Sequence, residues 1–136
     1  MSDAKYMLDT NIASYVIKGN SEYIRKRFSS LPMSAIYVSV ITEAELLRGV
    51  ARKPEAKKLA LIVREFLLRV NILDFDGKAA RAYAEFRTRC DKAGKALGAM
   101  DMLIASHSLA TDSILVTNDQ AFYQMKHILK LQDGTQ

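Results

Sequence analysis

Ser113-Ile114-Leu115-Val116-Thr117-Asn118-Asp119 is the stretch from which the fold is read. Its apolar run is too short for a helix and is rich in β-branched side chains. It ends in polar residues, so it reads as a buried strand followed by a turn. Near the other end of the chain, Tyr6-Met7-Leu8 repeats the pattern and runs into Asp9. Two short apolar strands that each deliver an acid at their carboxyl ends set the terms for everything between them.

Working outward, Ile12, Tyr15, Val16 and Ile17 mark a helix that stops at Gly19-Asn20, and a second helix runs from about Ser21 to Phe28. Residues Ala35 to Val40 read as a strand, and a helix follows from about Thr42 to Ala51. Pro54 lies near the start of a longer helix whose Leu59, Ile62, Val63, Phe66, Leu67 and Val70 recur at helical spacing. Ile72 to Phe75 reads as a short strand, followed by a helix from about Gly77 to Ala93 and, beyond Gly94 and Gly98, another from about Ala99 to Ala110. The tail from Ile128 to Leu131 adds an edge strand. Strands alternating with helices predict an α/β fold with a mainly parallel sheet. In such sheets the functional site lies beyond the carboxyl ends of the strands, which is where Asp9, Asn118 and Asp119 stand.

The chain has 136 residues, 49% of them hydrophobic and 26% charged, and contains no repeat, linker or low-complexity stretch. A single domain over residues 1–136 is expected. No apolar run is long enough to span a bilayer, the N-terminus lacks the apolar region of a signal peptide, and the single cysteine permits no intrachain disulfide. A cytoplasmic location is the expectation. The net charge of +5 favours encounter with polyanions, nucleic acid first. The cations are clustered: Arg25, Lys26 and Arg27; then Arg48, Arg52, Lys53, Lys57 and Lys58; then Arg81, Arg87, Arg89, Lys92 and Lys95. Such clusters bind phosphates without choosing sequence.

Four carboxylates adjoin apolar segments: Asp9, Glu45, Asp101 and Asp119. Carboxylates in poorly hydrated surroundings are costly and repel one another. A divalent cation relieves both, and hard oxygen donors suit Mg²⁺ or Mn²⁺. Each acid also has a purely structural reading. Asp9 can cap the helix after it, and Thr42-x-x-Glu45 has the form of a capping box. Asp101 suits the positive end of its helix, and Asp119 or Asn118 can cap a short helix through Ala121 and Phe122. Glu43 competes with Glu45, and helical periodicity does not separate them. His107 and His127 read as packing or surface residues, Cys90 as a small apolar side chain, and the methionines as core filler.

At these residues the sequence resembles a PIN-domain nuclease of the VapC toxin type. The matching segments are Met7-Leu8-Asp9-Thr10-Asn11, Ser39-Val40-Ile41-Thr42-x-x-Glu45-Leu46-x-x-Gly49, Leu73-Asp74-Phe75-Asp76 with Ala79-Ala80 and Tyr83, Gly98-x-x-Asp101-x-Leu103-Ile104-Ala105-x-His107, and Leu115-Val116-Thr117-Asn118-Asp119. They cover the chain from about Tyr6 to Ile128, in order. The resemblance implies a three-layer α/β/α sandwich and selects Glu45 over Glu43. It implies that Asp9, Glu45, Asp101 and Asp119 form the catalytic, metal-holding quartet, with Thr10, Asn11, Thr117 and Asn118 orienting the acids or their water. It further implies Mg²⁺- or Mn²⁺-dependent cleavage of RNA, often transfer RNA, by an activated water. The partners implied are a VapB-type antitoxin, which inhibits the enzyme, and a second copy of the chain in a homodimer. The tail from Leu131 to Gln136 lacks the aromatic ending of close relatives, so nothing is carried over to it.

Three other readings compete. A phosphorylation-controlled receiver domain would need paired acids after the first strand and a lysine after a late one, and neither is present. An inactive PIN-fold RNA-binding or scaffold module is opposed by the four filled acid positions. A structure-specific DNA nuclease of the same fold would need extra segments to clamp a DNA fork.

Overall fold

The computed structural model describes residues 4–19 and 22–134, without the side chains of residues 23–25. Its elements are β1 (Tyr6–Leu8), α1 (Thr10–Lys18), α2 (Glu22–Ser29), β2 (Ile36–Ser39), α3 (Val40–Ala51), α4 (Lys57–Arg69), β3 (Asn71–Leu73), α5 (Gly77–Lys92), α6 (Ala99–Ala110), β4 (Ile114–Val116), α7 (Gln120–Tyr123) and β5 (Leu131–Gln132). The strands form one sheet in the order β3-β2-β1-β4-β5, and every pairing is parallel. The expected α/β sandwich is therefore present, with a wholly parallel sheet.

The pleat sorts the core. Met7 and Leu8 are adjacent in β1 and point to opposite faces. Leu8 joins Ile12, Val38, Leu46, Val63, Phe66 and Val116 on one face. Met7 joins Phe86, Met102, Ile104, Leu115 and Phe122 on the other. Helices α1 to α4 supply most of the first layer and α5 to α7 most of the second. Strands buried on both faces must be apolar throughout, which is why these segments lack polar alternation.

The ends of several elements differ from expectation. Helix α3 begins at Val40, because Ser39 is its N-cap and accepts a hydrogen bond from the Ile41 amide. Thr42 is therefore buried inside the helix, and the capping box read from Thr42 to Glu45 does not form. Strand β2 is correspondingly shorter than Ala35–Val40, and residues Met33–Ala35 make a 3-10 turn. Strand β3 starts one residue earlier than expected and stops two residues earlier, at Leu73, where its partner β2 ends. Helix α4 starts only at Lys57. Helix α1 ends on Gly19, in the left-handed conformation at φ 63°; Asn20 and Ser21, where the sequence placed the stop and the next start, lie outside the described residues. In the tail, β5 pairs with β4. Beyond it, a Cβ on Gly134 would stand 2.7 Å from Ile12 Cδ1 and 3.1 Å from Val116 Cγ1, so any other residue there would force these buried side chains to shift. Among the described residues, no helix is long and apolar enough to cross a membrane.

Candidate active site

The strand order reverses at β1. Strands β2 and β3 lie to one side of it, β4 and β5 to the other. Chain segments leaving β1 and β4 therefore diverge and open a crevice at the carboxyl edge of the sheet. Register pairs Leu8 with Val116, so the next residues, Asp9 and Thr117, are neighbours. The Asp9 amide continues the ladder by donating to the Val116 carbonyl at 3.0 Å.

Asp9 is 3% exposed. Its Oδ1 accepts from the Ile12 amide at 2.8 Å, the cap expected from the sequence. Its Oδ2 accepts from the Thr117 hydroxyl at 2.5 Å. The same hydroxyl oxygen accepts from the Asp119 amide at 3.0 Å, and Asp119 Oδ1 caps α7 through the Ala121 amide at 2.9 Å. Capping and site-building are thus two uses of the same side chains.

Burial pushes the Asp9 carboxyl up to about 6; the Thr117 and Ile12 hydrogen bonds work against that shift, and the charges of Asp101 and Asp119 add to it. Asp101, in the first turn of α6, is also pushed up, by burial first and then by Asp119 and Glu45. The four acids predicted from sequence therefore share one electrostatic field. Glu45 rises from the second turn of α3 and accepts the Thr10 hydroxyl through Oε1 at 2.5 Å, with Thr42 Oγ1 3.3 Å from that hydroxyl. Glu43 points elsewhere: it lines a separate recess with Leu47, Arg64 and Leu68 between α3 and α4.

Two of the four residues expected to orient the acids do so by direct contact, Thr10 and Thr117. Asn11 is exposed and Asn118 partly buried, and neither side chain hydrogen-bonds to an acid. Among the described residues, no three His, Cys, Asp or Glu side chains converge closely enough to hold a metal ion together. The donor chemistry fits a hard divalent cation all the same. Every candidate ligand is a carboxylate, and Asp9 and Asp101 are pushed up by burial first and by their acidic neighbours second, both of which a cation would offset.

Sequence reading missed one structural link here. His107 is 1% exposed, and its Nδ1 lies 2.7 Å from Ser39 Oγ. Ser39 also caps α3, so this contact ties the helix carrying Asp101 to the helix carrying Glu45. The Ser39 hydroxyl accepts from Ile41, which leaves its proton to donate to Nδ1. Burial holds the ring's pKa below its usual value, and the Phe75 ring packs edge-on against it. Tyr123 was not singled out either. Burial pushes its phenol up, and the charges of Asp133 and Asp9 add to the effect, so the segment after β5 reaches the field of the site. His107 closes the segment Leu103-Ile104-Ala105-x-His107, but nothing in that segment points to Ser39, and Tyr123 belongs to no motif that would have marked it.

Residues 6–128 match the PIN domain family. A ribonuclease VapC2 of Haemophilus influenzae is 37% identical over 115 residues, 85% of this chain and 86% of that protein. The tRNA(fMet)-specific endonuclease VapC of Shigella flexneri is 30% identical over 129 residues, 95% of this chain and 97% of that protein. Among solved structures, the DNA-bound VapBC complex of Salmonella typhimurium superposes with a TM-score of 0.88 at 30% identity, covering 96% of this chain and 98% of that one. With an all-parallel sheet, Asp9 and Asp119 following the two strands at its switch point, and this similarity along nearly its whole length, the chain belongs to the PIN-domain family, among the VapC ribonucleases.

Proposed function

We propose that this chain is an endoribonuclease, the toxin of a VapB–VapC type pair, and that it hydrolyses RNA phosphodiesters at the edge formed by Asp9, Glu45, Asp101 and Asp119. The observation that carries the reading is the shared field of these acids. Two carboxyls, Asp9 and Asp101, are pushed up by burial and by their acidic neighbours, and such strained carboxylates mark functional sites.

Asp9, Asp101, Glu45 and Asp119 would hold Mg²⁺ or Mn²⁺. When bound, the ion supplies charge neutralisation at the phosphodiester and acidifies the attacking water. The chain's own residues prepare the site. Ile12 and Thr117 fix both oxygens of Asp9, and Thr10 fixes one oxygen of Glu45, so the acids are held in place before substrate arrives. Water attacks phosphorus, a P–O bond forms, the bond to the 3′-oxygen breaks, and that oxygen takes up a proton. The products are a 5′-phosphate and a 3′-hydroxyl.

Transfer RNA is the substrate class this reading favours, because the Shigella relative is named for one and unpaired loops expose bases that a protein can read. A VapB-type antitoxin is the partner, as in the solved VapBC complexes. A basic side chain from such a partner would suit the acidic edge. The chain is also proposed to pair with a second copy of itself.

The test is incubation of purified protein with transfer RNA and Mg²⁺ or Mn²⁺, with and without EDTA, beside Asp101→Asn. Cleavage that needs the metal and is lost in a folded Asp101→Asn protein is expected. Cleavage by Asp101→Asn at the wild-type rate would overturn the site.

A further inference from the structure

A groove of about 240 Å³ opens directly beside Glu45, between α1, α3 and α4. Thr10 and Glu45 stand at one end. Lys18, Arg52 and Lys53 stand at the other, and Ile17, Leu46, Val50, Leu59 and Val63 form an apolar floor. Helical spacing explains the layout. Thr10, Ser14, Ile17 and Lys18 follow the i, i+4, i+7, i+8 rule on α1, and Glu45, Gly49, Arg52 and Lys53 follow it along α3 and its end. Both helices start at the site, so each leads from an acid or its hydroxyl partner to a cation. Arg52 lies about 10 Å from Glu45 along the axis, from a rise of about 1.5 Å per residue.

Gly49 is the second observation. It lies within α3 and is exposed, where glycine costs about 0.5–1 kcal/mol relative to alanine. No neighbouring atom explains it, since a Cβ there would meet nothing within 4 Å. The groove wall is therefore open at this point, and a longer side chain there would enter the groove. The three cations are exposed, and among the described residues none is paired with an acid.

We infer that this groove is a nucleotide subsite, which takes the RNA nucleotide next to the cleaved bond, its base on the apolar floor beside Gly49 and its phosphate at Lys18, Arg52 and Lys53. The subsite rests on the ribonuclease reading above and goes beyond it by naming where the strand runs. Charge complementarity selects the occupant: three unpaired cations at the end of the groove farther from Glu45 fit a polyanion. An apolar floor suits the face of an unpaired base.

The test separates binding from cleavage. Anisotropy of a labelled single-stranded oligoribonucleotide in EDTA compares wild type with Gly49→Leu, with a Lys18→Ala/Arg52→Ala/Lys53→Ala protein, and with Lys78→Ala/Arg81→Ala/Arg89→Ala, which removes equal charge from α5. Gly49→Leu fills the groove and is expected to weaken binding at least tenfold with an unchanged circular dichroism spectrum and an undiminished Tm. The groove triple variant is expected to flatten the plot of log affinity against log salt by about 0.7, the value for one phosphate contact. It should also lose more affinity than the α5 variant. Equal losses in the two triple variants, or wild-type binding and cleavage by Gly49→Leu, overturn the subsite. Loss of antitoxin binding alone in Gly49→Leu overturns it in favour of a protein occupant. RNA binding that Gly49→Leu destroys, in a wild-type protein that cuts no RNA with either metal, would sink the ribonuclease reading and the placement beside a cleaved bond, and leave the groove as a nucleotide-binding site.

Discussion

Thr117 donates its hydroxyl to Asp9 Oδ2 at 2.5 Å, across 108 residues of sequence, and so joins the carboxyl ends of β1 and β4. Both side chains are buried, and in such surroundings a hydrogen bond to a charged group is stronger than at the surface. This bond restrains the rise in the Asp9 pKa. Replacing Thr117 with the isosteric valine removes it. The Asp9 carboxyl should then titrate above about 6, and stability at neutral pH should fall by roughly 1–3 kcal/mol. Carbon-detected NMR of the Asp9 carboxyl and denaturant unfolding measure both. An unchanged titration would show that the hydroxyl has no hold on the acid.

Asp9 makes the metal-free protein less stable as pH rises. Its folded pKa of about 6 exceeds its ordinary 3.8, so between these values the native state keeps a proton that the unfolded chain has released. Stability therefore falls as pH rises through that window, by up to about 3 kcal/mol at about 1.4 kcal/mol per pKa unit. Asp9→Asn keeps an oxygen to cap α1 and cannot ionise. It should be the more stable protein at pH 7 without divalent ions and should lose this dependence, while cleavage is abolished. Urea unfolding across the window decides the matter, and parallel slopes for the two proteins would refute it.

His107 acts in the opposite direction. Its folded pKa lies below 6.5, so on acidification the unfolded chain takes up a proton that the native state refuses. Stability is lost as pH falls below that value. In wild type this loss is opposed by the gains from Asp9 and Asp101, and in Asp9→Asn only the gain from Asp101 opposes it, so acid destabilisation should be more pronounced there. An Asp9→Asn protein that is destabilised by acid no more than wild type would contradict the assignment.

Ser39→Ala removes the α3 cap, worth about 1 kcal/mol, and leaves His107 Nδ1 buried without a partner, at about 1–3 kcal/mol. A loss near the sum is expected in denaturant unfolding. Cleavage should fall with it, because α3 and α6 lose the contact that holds Glu45 and Asp101 in register. Full activity in Ser39→Ala would mean that the link serves stability alone.

Glu43 and Glu45 give a direct contrast. Glu45→Gln should reduce cleavage strongly, since it removes a charge from the field around Asp101. Glu43→Gln should leave cleavage near wild type, because that side chain lines the recess between α3 and α4. Single-turnover rates on the same RNA compare them.

Much of this protein is legible without coordinates. Apolar runs such as Ile114-Leu115-Val116 read as strands buried on both faces, and strands of that kind alternating with amphipathic helices point to a parallel sheet. The sheet in turn requires that Asp9 and Asp119 lie at its carboxyl edge. Helix ends were less legible where tertiary pairing outweighed local preference: Val40 and Ile41 favour strands, yet they belong to α3 because β2 ends at Ser39, the helix cap. Periodicity was silent on Glu43 against Glu45, since both lie on one helix and only its packing decides which faces Asp101. Contacts between distant residues were beyond it altogether. Nothing local marks Thr117 as the partner of Asp9, His107 as the partner of Ser39, or Gly49 as the open wall of a groove. Sequence by itself determined the element types and delivered the acids to one edge. Tertiary structure decided register, and with it which hydroxyl meets which carboxylate, because hydrogen bonds and charge act through space over a few ångströms while local pattern acts along the chain.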